Sequence, residues 1–471
     1  MASLATTASV SQMNSSLSQW TPTPREPWDI VRVAHLHRRA GFTPDWRTIQ
    51  QSLRDGWEQS IDQLLDRGKR EHAEYELDEK SEAQFEQMAT TIGDAAVGAS
   101  NADRLRAWWI FRMLMTPRPL VERMTLLWHN HFATSNNKVQ DVSAMYEQNH
   151  LLRTHSLGRF GDLLKAVVKH RAMLSWLDAA SNRKEHPNEN LARELMELFT
   201  LGEGHYSERD VAEAARCLTG WTIRGNRFEF VPAMHDAGEK VVLGHRGAMD
   251  GDGLIDLLLV QEPTSKRIAG RLCEMFFGEG VANEETVSEL AVGLRANGLS
   301  IAWGVETILR SRLFFSNANI RSRIASPVEL VIGTARALEL HQAPPSTMLL
   351  AAEVRKLGQD LFHPPNVFGW PEGREWIHTR SVLGRHGFVD ALLAGKLHAS
   401  EHAPIDFESL SERHGFAGQR EPAFKFASLL FLNQTKKAES TESKAEAKTP
   451  VELRTRRAIL QIITDPENQL S

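Results

Sequence analysis

Apolar residues recur every three to four positions through most of this chain, and that period limits its fold more than any other feature. A helix returns a side chain to one face at i+3 and i+4, whereas a strand returns it at i+2. Ile30, Val33, Ala34 and Leu36 mark a first helix over 28–40, stopped by Gly41-Phe-Thr-Pro44. A second is predicted over 48–67. Residues 68–103 are charged and weakly periodic and read as an excursion. The apolar stretch 104–115 ends before Thr116-Pro117, and Pro119 is placed to open the next helix. Helical spacing continues over 162–178, 189–201, 208–218, 264–277, 284–296 and 303–310. Ser326-Pro-Val-Glu329 is a capping box that opens another helix, to 340. Segments 349–361 and 388–397 follow.

One segment departs from this habit. Residues 221–224 and 227–231 alternate about Gly225-Asn226, the signature of a two-residue hairpin turn. The predicted fold class is therefore mainly α: one large helical domain with a small β-hairpin near 221–231. Residues 1–24, rich in Ser, Thr and Gln, read as a disordered lead-in, and 25–433 as the helical body. Residues 434–450 are a low-complexity linker or insertion. Residues 451–471 carry an amphipathic helix expected to pack back on the body.

Charge and cysteine usage narrow the function classes. With 55 Lys+Arg against 60 Asp+Glu, the chain is no globally basic nucleic-acid binder. Two cysteines exclude a disulfide framework or a Cys-rich zinc site. No apolar run approaches the ~18 residues of a membrane span. The start has no signal-peptide pattern, so the chain reads as cytoplasmic, with no export route visible. The chain has 12 Trp and 19 His but only 3 Tyr, which makes a ligand surface worth seeking.

Four segments carry candidate chemistry. The first is Pro187-Asn-Glu-Asn-Leu-Ala-Arg-Glu-Leu-Met-Glu-Leu-Phe-Thr-Leu-Gly202. On a helix, Leu191, Ala192, Leu195, Met196, Leu198 and Phe199 fill one arc, and Asn190, Arg193, Glu194 and Glu197 fill the opposite one. That polar row is either a solvated face or the wall of a cleft. In a cleft, Glu194 and Glu197 would form an acid/base pair whose charge Arg193 tunes. Asn188 and Asn190, at the helix start, suit a polar ligand.

The second segment is Leu127-Trp-His-Asn-His-Phe132. His129 and His131 can share a metal on an extended backbone. On a helix they diverge by about 200°, with His131 buried and His129 turned outward. The third, His235-Asp236, offers two ligands for a divalent metal, or a loop contact. The fourth is the loop 358–379, too rich in Pro and Gly for a helix. It brings Asn366, Trp370 and Trp376 together, and flat aromatic faces beside polar groups suit sugar rings. Trp128 and Trp221 are further candidates of this kind. The alternative is a loop that caps the helical core. No nucleotide-cradling glycine loop, nucleophile elbow or HExxH is present.

Together these segments resemble the bacterial proteins of domain of unknown function 1800. His35-Leu-His-Arg-Arg-Ala-Gly-Phe42, Trp128-His-Asn-His-Phe132 and the 187–202 segment carry the match. Leu218-Thr-Gly-Trp221, His235-Asp236 and Pro364-Pro-Asn-Val-Phe-Gly-Trp370 complete it, over roughly 30–470. The resemblance implies a largely helical single unit and a frequent genomic neighbour similar to sulfatases and alkaline phosphatases. It implies no established reaction. Many members look exported, and this chain departs from them in showing no signal.

Two functions stand at this point. One is a hydrolase acting on a carbohydrate-like or polymeric substrate. Its catalytic residues would be Glu194, Glu197 and Arg193. Asn188, Asn190, Trp128, Trp221, Asn366, Trp370 and Trp376 would bind substrate, and His129, His131, His235 and Asp236 a divalent metal. The other is a non-catalytic binding or scaffold partner of a sulfatase- or phosphatase-like protein.

Overall fold

The computed structural model describes residues 15–66, 79–341, 344–398, 405–414, 427 and 451–464. The predicted linker at 434–450 lies outside the described residues. The fold is mainly helical. In chain order the helices are α1 (Ile30–Ala40), α2 (Trp46–Leu64), α3 (Glu79–Gly98), α4 (Ala102–Met115), α5 (Pro119–His131), α6 (Val142–Thr154), α7 (Phe160–Val168), α8 (Arg171–Trp176), α9 (Glu189–Glu194) and α10 (Glu208–Cys217). Two hairpins follow, β1 (Trp221–Arg224) with β2 (Arg227–Phe230) and β3 (Lys240–Val242) with β4 (His245–Gly247). The chain then forms α11 (Gly251–Leu259), α12 (Glu262–Phe276), α13 (Glu284–Ala296), α14 (Ile301–Leu309), α15 (Pro327–Ala337), α16 (Thr347–Lys356), α17 (Thr379–Leu393), α18 (Phe407–Arg413) and α19 (Val451–Thr464).

The first hairpin pairs Trp221 with Phe230 and Arg224 with Arg227. Its turn residues Gly225 and Asn226 both take positive φ, 52° and 62°, as a two-residue turn between twisted strands requires. The Ser326–Glu329 capping box forms and opens α15 behind Pro327. No described helix is long and apolar enough to cross a membrane.

Several boundaries differ from expectation. The excursion at 68–103 contains α3, whose Ala89 and Ala96 are buried. Small residues lower the apolar signal there without lowering burial. The segment 162–178 breaks into α7 and α8, where His170 caps α8 through Ala172 N. Helix α6 went unpredicted, and α17 begins at Thr379 rather than 388. Within the predicted lead-in, Leu17 and Trp20 are buried and Gln19 bridges to Ser311, so this part of it is packed.

Two large apolar clusters form the core. One gathers Trp20, Trp57, Trp128, Phe132, Phe160 and Phe199, and the other Trp108, Trp109, Val331, Leu350 and Phe388. Helix α5 runs between them, giving Leu127 and Trp128 to the first and Leu126 to the second. It is therefore buried on more than one face. Helix α19 lies against α17, tied by Arg456 to Asp390 at 2.8 Å.

Candidate active site

The segment 187–202 does not continue as a regular helix. Asn188 caps α9 through Asn190 N, and residues Leu195–Thr200 then widen into a π-helical turn. A π turn shifts carbonyls out of the i→i−4 ladder and frees them for other donors. The Leu198 carbonyl accepts from Arg267 Nε at 2.6 Å, and the Phe199 carbonyl meets His131 Nε2 at 3.2 Å. On the polar face, Arg193 bridges Glu208 (2.7 Å) and Glu189 (3.2 Å), and Asn190 is exposed. Glu197 accepts from the Tyr206 hydroxyl. Partial burial and the neighbouring charge of Glu197 raise the pKa of Glu194. This row ties α9 to α10 and faces solvent in part.

The histidine segment is helical, so His129 and His131 point to different surroundings. Contrary to expectation, His129 is not turned outward. It is 1% exposed and stacks on Trp109, with Phe362 and Trp370 beside it. Neither ring nitrogen has a partner beyond its own backbone, and burial pulls its pKa down to about 4. His131 packs among Trp128, Phe132, Phe160 and Phe199. His235 Nδ1 lies 2.9 Å from the Thr219 carbonyl. Asp236 accepts from Arg216 Nε at 2.7 Å and from Gly238 N at 2.8 Å. These four residues are thus not brought to a common point. Among the described residues no group of three or more His, Cys, Asp or Glu side chains is placed to hold a metal ion. The reason is geometric: a helical i, i+2 pair diverges, and Asp236 is already neutralised by Arg216.

The aromatic candidates separate as well. Trp128 is a core residue whose indole N–H donates to the Ser156 carbonyl at 2.9 Å. Trp221 is buried against Phe228 and over Gly251. Asn366 is exposed and makes a turn, accepting from Phe368 N through Oδ1. Trp370 and Trp376, by contrast, line a cavity of about 550 Å³.

Asn130, the residue between the two histidines, builds that cavity. Its Oδ1 accepts from Trp370 N at 2.7 Å, and its Nδ2 donates to Glu372 Oε1 at 2.6 Å. Gly369, at φ 89°, allows the close approach, since a Cβ there would sit 2.2 Å from Asn130 Oδ1. The two motifs are therefore one unit: α5 supplies the clamp, and the Pro-Pro-Asn loop supplies what it holds.

Helix α12 forms the opposite wall with Arg271 and Glu274. Arg271 Nη1 donates to Glu274 Oε2 at 2.9 Å and to Glu372 Oε2 at 3.1 Å. Those two bonds to one nitrogen keep the oxygens within about 6 Å of each other. Burial and the charge of Glu372 raise the pKa of Glu274, only partly countered by Arg271. Burial acts upward on Glu372 too, but Arg271 and the Asn130 amide overcome it and lower its pKa. Two carboxyls on one guanidinium are thus pushed apart, the pattern that separates an acid from a base. Sequence reasoning missed Asn130, Arg271, Glu274 and Glu372. Arg271 and Glu274 sit in a helix with an ordinary amphipathic pattern, and nothing local marks them.

Fold and site define a mainly helical protein with a polar, carboxylate-bearing cleft between its helices and an aromatic loop. The chain belongs to the DUF1800 family, proteins of unknown function, whose model matches residues 35–470. No curated protein and no solved structure matches it.

Proposed function

We propose that this protein is a hydrolase acting on a carbohydrate-like or polymeric substrate, with the Arg271-bridged pair Glu274 and Glu372 at its centre. The observation that carries the reading is that bridge. Both carboxylates line one cavity beside Trp370 and Trp376. Glu274, the more easily protonated, is the general acid toward the leaving oxygen. Glu372, held ionised, is the nucleophile or the base for water. Glu194 and Glu197, the pair favoured by spacing, lie outside the cavity lining.

The test is reducing-end release from a panel of polysaccharides. The wild type is expected to act on at least one, and Glu274→Gln or Glu372→Gln to lower the rate by about 10²–10⁴. Unchanged activity in both variants, or no release by the wild type across the panel, would sink the reading.

Exposed apolar side chains favour a second reading, a binding or scaffold role toward a sulfatase- or phosphatase-like protein. Phe368 and Leu383 are each 70% exposed, and Ile377 and Val382 lie exposed between them in sequence. Such surface often marks a contact for another protein. Capture of that partner with the cleft variants unaffected would favour it.

A further inference from the structure

A second cavity, of about 470 Å³, lies between the α1–α2 corner, the end of α4 and Arg336 of α15. Among the described residues it shares no lining residue with the first, and its volume is within the range of small-molecule sites. Phe42, Leu114, Met115 and Leu157 give it an apolar side, and His37, Ser52 and Ser60 lie in its wall. The two serines, both buried in α2, use their hydroxyls differently. Ser60 Oγ donates to the Gly56 carbonyl at 2.7 Å, the bond to i−4 that a helical serine commonly makes. Ser52 Oγ instead lies 2.7 Å from His37 Nε2 of α1. Burial pulls the pKa of His37 down to about 4, so the imidazole is neutral at pH 7 and can accept the hydroxyl proton. Two charges in the same wall act on that ring, Asp45 favouring its protonated form and Arg336 opposing it. Arg336 is itself held by the Thr43 and Leu114 carbonyls, at 3.2 and 3.0 Å.

A hydroxyl is a weak nucleophile until an adjacent base takes its proton. We infer that Ser52 and His37 are a nucleophile and its base, and that this second cavity cleaves a carboxylic ester with an apolar acyl group. Ser52 Oγ adds to the carbonyl carbon while its proton passes to His37 Nε2. Arg336, whose charge reaches the ring, offsets that of the oxyanion. As the carbon–oxygen bond to the alcohol breaks, Nε2 returns the proton to the leaving oxygen. Water then releases the acid from the acyl-serine by the same steps. The site stands apart from the cleft of Glu274 and Glu372 and does not depend on it.

The experiment is labelling of the full chain with an alkyl fluorophosphonate, which bonds to an activated serine oxygen with loss of fluoride. Peptide mass spectrometry maps the label, expected on Ser52 in the wild type. His37→Gln keeps a polar side chain but no base, and should slow labelling by about 10²-fold or more. Ser60→Ala removes the serine whose bond is local, and should label as the wild type does. Should His37→Gln fail to fold, Ser52→Ala, which loses one oxygen, is read with p-nitrophenyl butyrate and should abolish its hydrolysis. Three results would overturn the inference: no label on Ser52 in the wild type, a folded His37→Gln that labels as fast, or a Ser52→Ala that hydrolyses the ester at the wild-type rate. A bond that merely ties α1 to α2 gives the first of these. No polysaccharide is involved, so the outcome is independent of the cleft test.

Discussion

Glu122 offers the sharpest test of how the helical body is held. It sits in α5 at 1% exposure, among apolar residues of both clusters. Arg153 donates to it through Nε at 2.7 Å and Nη2 at 3.0 Å, Arg112 through Nε at 2.9 Å, and Trp109 through Nε1 at 3.1 Å. Burial alone would push its pKa up; Arg153 and Arg112 more than reverse this and hold it at about 2. A fall from 4.5 to about 2, at about 1.4 kcal/mol per pH unit, corresponds to about 3 kcal/mol of stability. Glu122→Gln keeps the shape but turns an amide donor toward a guanidinium. Arg112 still has Glu86 at 2.8 Å, and Arg153 still has Asn149 Oδ1 at 2.6 Å, so the loss should sit at the lower end of the roughly 3–5 kcal/mol for breaking a buried pair. The sign in pH is fixed. A depressed carboxyl stabilises above its unfolded pKa, and that contribution fades as pH falls from about 4.5 toward 2. Urea unfolding followed by circular dichroism should therefore show a gap of about 3 kcal/mol at pH 7, shrinking below about 1 kcal/mol near pH 2.5. A gap under about 0.5 kcal/mol at pH 7, or one that persists undiminished at pH 2.5, would refute the reasoning.

Four further outcomes are expected. Gly251→Ala should destabilise by about 1–3 kcal/mol, because the new Cβ would lie 2.2 Å from Trp221 Cζ2; a thermal melt unchanged from wild type would contradict that packing. His129→Leu should reduce acid sensitivity. Its lowered pKa means stability present above about 6.5 is lost as pH falls through about 4, so the wild type should lose more than the variant over that window. The melting temperature of the wild type should also be insensitive to divalent metal at neutral pH, and a metal-dependent shift abolished by His129→Leu would restore the ligand reading. Glu194→Gln should be neutral or slightly stabilising at pH 7, since a raised carboxyl pKa contributes stability only at low pH; a large loss would show a partner for its charge.

The local signals in the chain were strong and correspondingly legible. The period of apolar residues, Pro119 and Pro327 at first helical positions, the Ser326 box and the Gly225-Asn226 turn each act within a few residues of themselves. The conspicuous strings around His129, Glu194 and Trp370 also led to the family. What each string does was less legible. A helical wheel assumes one buried face and one solvated face, and α5 lies between two cores, so His129 is as buried as His131. The wheel also assumes regular turns, and the π turn at Leu195–Thr200 breaks that assumption.

The sequence by itself determined where helices begin and end in most of the body, the first hairpin, and which segments carry unusual polar and aromatic residues. Only the tertiary structure decided that Asn130, and not its flanking histidines, clamps the Trp370 loop across 240 positions. It likewise decided that Arg271 meets Glu372 across 101 positions, and that Arg123 and Arg323 meet at Glu329. The physical reason is the reach of the forces involved. Propensity, capping and turn chemistry act over a few residues, whereas a guanidinium or an amide binds whatever acceptor packing delivers, and packing is a property of the whole chain.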